Sequence, residues 1–245
     1  MKLDKAELND LLSIDQKIVD KLIEIHRSIE YDFTIFGAKN GKTGSYIVLV
    51  RSLSLLTVIN DLLKSGKSSE AQVYFRTVHE ANALSLYFTF SYLKNENNRQ
   101  INSWFVKHVN LDLKSIRKYL AEISSIPEEY LETLFGDYSK LLHHTYRSIM
   151  ESYKYFADVS PLRAEEKQEG FGYKQAPFFG EILYEEYIEI VHQYQNLIQL
   201  TLMTFHIGFH KAQGILEKKR VDFIEKNIEH YSAPLKTKLK ILETT

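Results

Sequence analysis

A long, largely apolar stretch of the chain carries three polar side chains of the kinds that do chemistry. The stretch Ser69–Tyr92 reads SEAQVYFRTVHEANALSLYFTFSY and contains Arg76, His79 and Glu80. A helix that is hydrophobic on all faces is normally buried, and a buried charge is costly unless it is paired. Because Arg76 and Glu80 stand four residues apart, the spacing predicts an ion pair on one helix face, with His79 beside it. Such a group either fixes helix packing as an internal salt bridge or lines the wall of a binding or reactive cleft.

A second polar cluster lies in the segment YSKLLHHTYR, which contains Tyr138, Ser139, His143, His144 and Arg147. On a helix, Ser139, His143 and Arg147 share a face, while His144 turns aside. Histidines next to an arginine suit proton transfer and the binding of a phosphate oxyanion. The alternative is a partly exposed polar helix face without chemistry. His143 is our first candidate for a catalytic residue.

Metal-like spacings also occur, but each is incomplete. Glu189 and His192 match one Glu-x-x-His step of a carboxylate-bridged di-iron bundle, which needs two such steps and two further glutamates. His206 and His210 have the spacing of helical zinc ligands, yet no His-Glu-x-x-His motif is present. The segment GAKNGKTG lacks the residue order of a phosphate-binding loop. We therefore predict no metal and no cofactor.

Composition narrows the class of protein further. Lysine plus arginine (31) nearly balance aspartate plus glutamate (32) in the 245 residues. The whole chain therefore lacks the basic excess of a nucleic-acid coat protein, although a balanced chain can still carry local basic patches. The absence of cysteine excludes disulfides, thiolate metal sites and cysteine nucleophiles. The N-terminal residues do not resemble a signal peptide, and the most apolar segment is interrupted by Arg51, Asn60 and Asp61. We expect a cytoplasmic protein without a membrane span.

The elements that must position these residues are helices, because only 4 prolines and 10 glycines interrupt long periodic segments. The glycine-rich loop Gly37–Gly44 should separate the first two helices, and Ser68 or Ser69 should cap the third. The predicted helices are Lys5–Phe36, Tyr46–Lys64, Ser69–Tyr92, Arg99–Val109, Leu111–Ile123, Glu128–Phe156, Ile182–Gln213 and Leu216–Tyr231.

The expected architecture is an all-α, antiparallel helical bundle of about seven to nine helices. Residues 158–180 hold two prolines, three glycines and an aromatic tail, so they should form an irregular loop or a small hairpin. We predict one domain over residues 1–231 and a C-terminal tail over residues 232–245.

Two short motifs on these helices resemble a known group of proteins. The segment Glu70–Glu80 reads Glu-Ala-x-x-x-x-Arg-x-x-x-Glu, and Tyr138–His143 reads Tyr-Ser-x-x-x-His. Over residues 48–155 the chain resembles prokaryotic helical-bundle families of unknown function that carry an Arg-x-x-x-Glu helix and a Ser-x-x-x-His helix. The resemblance implies one pocket shared by Arg76, Glu80, Tyr138, Ser139 and His143.

Such families are distantly similar to the HEPN superfamily, whose helical domains bind nucleotides or cleave RNA, often dimerise, and act in toxin–antitoxin or phage-defence systems. This resemblance implies a homodimer and a metal-independent ribonuclease. The chain departs from the HEPN ribonuclease motif, in which a histidine follows an arginine after four to six residues. Arg76 and His79 are too close for that motif, and Arg99 and His108 are too far apart.

These observations leave three functional hypotheses. In the first, Arg76, Glu80 and His143 are catalytic or phosphate-stabilising groups of a pocket that engages a nucleotide or RNA, and His79, Tyr138, Ser139, His144 and Arg147 bind the substrate. In the second, the polar residues only fix helix packing, and an exposed apolar face docks a partner protein. The third hypothesis is a metal-dependent helical oxidase.

Overall fold

The computed structural model describes residues 5–29, 38–96, 98–107, 111–124 and 184–232, and within these ranges the protein is all-α with no strand. The predicted fold class is therefore confirmed. The chain forms seven α-helices and one π-helix in these ranges: α1 (Lys5–Ser28), α2 (Gly41–Lys64), α3 (Ser68–Leu93), α4 (Asn98–Lys107), α5 (Leu113–Ser124), α6 (Tyr184–Thr204), the π-helix (Phe205–Ala212) and α7 (Lys218–Ser232).

Helices α2 and α3 form a tight antiparallel pair. Ser45 on α2 shares hydrogen bonds with Ser85 and Thr89 on α3, at 3.0 and 2.9 Å, whereas Ser52 further along α2 accepts a bond from the earlier Asn82, at 2.9 Å. The numbering therefore rises along one helix as it falls along the other. The short join after Lys64 makes this arrangement possible.

The beginning of α2 differs from the prediction, because half of the glycine-rich segment is helical. Asn40 caps the helix by accepting a 3.0 Å hydrogen bond from the backbone N–H of Thr43. Gly41 and Gly44 lie against α3, where a Cβ would stand 2.3 Å from the carbonyl oxygen of Phe88 and 2.8 Å from its ring, respectively. The glycines permit close packing here and do not mark a loop.

Other helix ends are also corrected. Helix α1 ends at Ser28, well before the predicted Phe36. Ser68 is the first residue of α3, and the capping position belongs to Lys67, which makes no side-chain capping bond. The predicted helix Ile182–Gln213 is described from Tyr184 onward, and it changes from α- to π-helical hydrogen bonding at Phe205. Apolar spacing does not distinguish these two helix types.

Two clusters of buried residues hold the helices together. In the main core, α2 and α3 pack against α1, α6, the π-helix and α7. In the second core, the opposite side of α3 packs against α4 and α5. Fully buried side chains of the main core include Leu22, Leu56, Phe75, Tyr194 and Phe209. Helix α3 thus contacts both cores, which explains its apolar character on nearly every face.

Several predictions fall outside the described residues. These are the helix over 128–156, the irregular segment 158–180 and the tail, apart from Ser232, which ends α7. Within the described ranges, α2 is long and apolar enough to cross a membrane by length and composition alone, a test that core helices also pass. Buried Ser45, Ser52 and Asn60 make hydrogen bonds to other helices from this one, as in a helix of a packed core.

Candidate functional site

An open cleft of about 680 Å³ lies between α2, α3, α4 and the start of α5, and we call it the main cleft. Its polar lining consists of Arg51, Arg76, Thr77 and Glu80. Its apolar lining consists of Ile47, Val48, Ala81, Leu84, Trp104, Leu111 and Ile116. A concave surface with a few charged groups among apolar ones is typical of a ligand site.

The predicted ion pair of α3 stands in this cleft. Arg76 Nε donates a hydrogen bond to Glu80 Oε1 at 2.5 Å, so the pairing inferred from the four-residue spacing is confirmed. The expected deep burial is wrong, because the two side chains remain 24% and 27% exposed. The cleft leaves this face of α3 in contact with solvent.

Arg51 is a cleft residue that sequence reasoning did not select. It projects from α2, is exposed, and forms no ion pair with any other residue that the structure describes. The described lining therefore carries two arginines and one carboxylate. The conflict that pointed to Arg76, a charge inside an apolar helix, also holds for Arg51 and could have identified it.

Trp104 is the second residue that sequence reasoning missed. It is the only tryptophan of the chain, and it lines the main cleft from α4. Its ring packs edge-to-face with Phe88 and Phe105, with centroid distances of 4.9 and 4.8 Å. The indole remains partly exposed, so it is held rigidly while presenting aromatic surface to the cleft.

His79 does not join the main cleft, although it was a predicted substrate-binding residue. It is only 6% exposed, and it is not among the residues that line the cleft. Burial lowers the pKa of His79 to about 4, so the imidazole is neutral at physiological pH. His79 directly precedes Glu80 on the helix, and neighbouring residues point in different directions. The His79 side chain therefore lies in the packed interior, whereas Glu80 lies in the cleft.

The second predicted cluster lies outside the described residues. The cluster consists of His143, the candidate catalytic residue, and its neighbours Tyr138, Ser139, His144 and Arg147. Their assignment to a shared pocket with Arg76 and Glu80 stays a prediction.

Metal-ligating side chains do not gather into a site within the described part of the chain, where no group of three histidine, aspartate or glutamate residues could hold an ion. The rings of His206 and His210 are 5.5 Å apart on the π-helix, and Glu225 of α7 lies 3.7 Å from His206 Nδ1. Burial lowers the pKa of His206, and the nearby Glu225 carboxylate partly opposes this shift.

The chain matches no protein-family model, no curated protein and no solved structure.

Proposed function

We propose that the main cleft binds the phosphate of a nucleotide or of RNA. The observation that carries the proposal is that the described lining of one open cleft holds two arginines but a single glutamate, beside a partly exposed tryptophan. A guanidinium offers donors in a fork that matches two phosphate oxygens, and it stays charged at any physiological pH. Arg51 contributes a positive charge that no described carboxylate neutralises.

The ion pair at Arg76 fits this role better than a role in packing alone. Glu80 holds Nε of the guanidinium and so fixes the plane of the group. Because both side chains are about a quarter exposed, an anionic ligand has access to a charge that is already oriented. Trp104, on the facing helix, has the aromatic surface on which a nucleobase stacks.

Cleavage of RNA would be the catalytic version of this function. It needs a group that takes a proton from the attacking 2′-hydroxyl or gives one to the leaving oxygen, while an arginine stabilises the negative charge of the phosphorane. Among the described residues, no histidine lines the main cleft. His143 therefore remains the candidate for proton transfer, and His79 is not suited because it is buried and neutral at pH 7.

Tryptophan fluorescence tests binding directly, because Trp104 is the only tryptophan and lies at the site. Wild-type protein and the Arg51→Gln variant are titrated with ADP. The matched control is Arg27→Gln, which removes another exposed arginine at the end of α1, outside the described lining of the cleft. We expect saturable quenching in wild type and control and at least tenfold weaker binding in Arg51→Gln. Equal affinity in all three proteins, or no response to ADP or RNA, would overturn the proposal.

Catalysis is tested separately. A mixed RNA pool is incubated with wild-type protein and with His143→Ala, each with EDTA or with added metal, and melting curves establish that both are folded. Cleavage that persists in EDTA and is lost in the folded variant supports a metal-independent ribonuclease. Binding without cleavage limits the function to a nucleotide- or RNA-binding module.

A second candidate function rests on exposed apolar residues of α2. Ile47, Val50 and Val58 are 40%, 45% and 41% exposed, and their spacing places them on one stripe of the helix. Such a stripe suits a docking surface for a second copy of the chain. Sedimentation velocity of wild type and of Val50→Glu/Val58→Glu tests this: a dimer that the double variant dissociates supports self-association, and a wild-type monomer contradicts it.

A further inference from the structure

A second, smaller cleft of about 320 Å³ adjoins the main cleft. The two share Leu111 and Ile116 as lining residues, so they are adjacent. Helix α4 contributes to both, because Ser103 lines the second cleft and the next residue, Trp104, lines the main one. We refer to these two adjacent clefts together as the depression.

The second cleft carries its own arginine. Arg99 lines it, is exposed, and makes no ion pair with another residue in the described part of the chain. Arg99 and Trp104 are five residues apart on α4, which corresponds to roughly 7.5 Å of helical rise and roughly 140° of rotation, so they leave different faces of the helix and line different clefts. The arginines of the depression are therefore distributed along it, with Arg51 and Arg76 in the main cleft and Arg99 in the second.

Among the described residues, Asp112 is the one acidic residue that lines the second cleft, and its carboxylate already accepts several hydrogen bonds. It accepts hydrogen bonds from the backbone N–H groups of Lys114 and Ser115, at 3.2 and 3.1 Å, and from the Ser115 hydroxyl at 2.7 Å. These bonds cap the start of α5 and spread the negative charge over helix donors. The hydrogen bonds from Ser115 and Lys114 lower the pKa of Asp112, so it stays negatively charged, and the positive end of the α5 dipole partly compensates that charge.

The net charge of the surrounding segment also favours an anionic ligand at the second cleft. Residues 98–124 contain five basic and two acidic side chains, a net charge of +3, whereas the whole chain has a net charge of −1. Of these five basic residues, Arg99 lines the second cleft, and the other four add a positive field around it that favours an anionic ligand.

We infer that the second cleft is a second phosphate subsite, so that the ligand is a single-stranded segment of several nucleotides and not a lone nucleotide. One phosphate binds at Arg51 and Arg76, a base stacks on Trp104, and a neighbouring phosphate binds at Arg99. This inference rests on the proposed function of the main cleft and extends it by naming the ligand class.

The experiment measures affinity against ligand length, using 5′-phosphorylated oligouridylates of one, two, four and eight nucleotides at fixed salt. Wild type is compared with Arg99→Gln and with Lys118→Gln, which removes an exposed charge from the same basic segment but not from either cleft. We expect wild type and Lys118→Gln to bind the tetranucleotide at least tenfold more tightly than the mononucleotide. Arg99→Gln should lose most of this gain while its affinity for the mononucleotide stays within threefold of wild type.

The two proposals fail in different ways. If the mononucleotide binds but affinity does not rise with length, or if Arg99→Gln and Lys118→Gln behave alike, the second subsite is refuted and the main cleft remains a nucleotide site. If neither the mononucleotide nor the longer ligands bind, the proposed function fails and the second subsite fails with it.

Discussion

Acid should destabilise this protein through two buried histidines. His26 of α1 is 4% exposed, its Nε2–H donates to the backbone oxygen of Tyr46 at 3.0 Å, and its ring stacks on the Tyr46 ring at 3.8 Å. Burial lowers the pKa of His26 to about 4 and outweighs the hydrogen bond to Tyr46, which acts in the opposite direction. Burial likewise lowers the pKa of His79 to about 4.

The sign and size of the effect follow from linkage. Each imidazole has a pKa of 6.5 when unfolded and about 4 when folded, so between these values the unfolded chain binds more protons. The contribution to stability is complete above pH 6.5 and is lost as the pH falls toward 4. At pH 4.5 each histidine accounts for a loss of about 2.5 kcal/mol, and the pair for about 5 kcal/mol, which is comparable to the net stability of many domains.

The assay is urea unfolding followed by far-UV circular dichroism at pH 7.0, 5.5 and 4.5. The His26→Phe variant keeps a ring against Tyr46 but removes one titration. We expect the stability difference between wild type and variant to shift by about 2.5 kcal/mol in favour of the variant between pH 7.0 and 4.5. Phe209→Leu, a core change without a titratable group, is the control whose difference from wild type should not depend on pH. A pH-independent difference for His26→Phe would refute the reasoning.

Three further outcomes are expected. Gly44→Ala should lower the free energy of unfolding by about 1–3 kcal/mol in urea titrations, because its Cβ would overlap the Phe88 ring on α3. In the control Gly208→Ala the new Cβ meets only ordinary 3.5 Å contacts, so the free energy of unfolding should change by less than about 1 kcal/mol. Similar losses in both variants would contradict the packing at Gly44. Tyr231→Phe removes a 2.7 Å hydrogen bond to the fully buried carboxyl of Asp15 and should lower the free energy of unfolding by about 1–3 kcal/mol in the same titration. An unchanged unfolding midpoint would show that this bond does not anchor α7. Glu80→Gln removes the only carboxylate of the described main-cleft lining but keeps a side-chain oxygen that can accept from Arg76 Nε. It should tighten ADP binding roughly 3- to 10-fold in a fluorescence titration, because a charge that repels the phosphate is lost. Weaker binding would show that the orientation of Arg76 depends on the carboxylate charge.

The sequence predicted the helical fold well because the apolar periodicity is strong and few residues break it. It failed at Gly41 and Gly44, since glycine marks both loops and close helix contacts, and only the position of Phe88 distinguishes the two cases. The end of α1 and the switch to π-helical bonding at Phe205 were likewise not visible in the spacing of apolar residues.

Only those contacts of the site that join residues close together in the sequence could be predicted. Arg76 and Glu80 are four residues apart on one helix, so their pairing followed from the sequence. Arg51 and Trp104 reach the same cleft from two other helices, and this depends on tertiary packing that no local pattern encodes. His79 was assigned to the wrong environment, because a difference of one residue decides whether a side chain of α3 points to the cleft or to the interior.

Photo-crosslinking tests the central claim most directly, because it reports where a nucleic acid lies on the protein. A single-stranded octanucleotide containing 4-thiouridine is bound, irradiated and mapped by mass spectrometry of tryptic peptides. The account predicts crosslinks at Trp104 and in peptides of α4 and α5, and their loss in Arg51→Gln but not in Arg27→Gln. Crosslinks confined to other surfaces, such as the outer faces of α1 and α7, or crosslinks unaffected by Arg51→Gln, would contradict it.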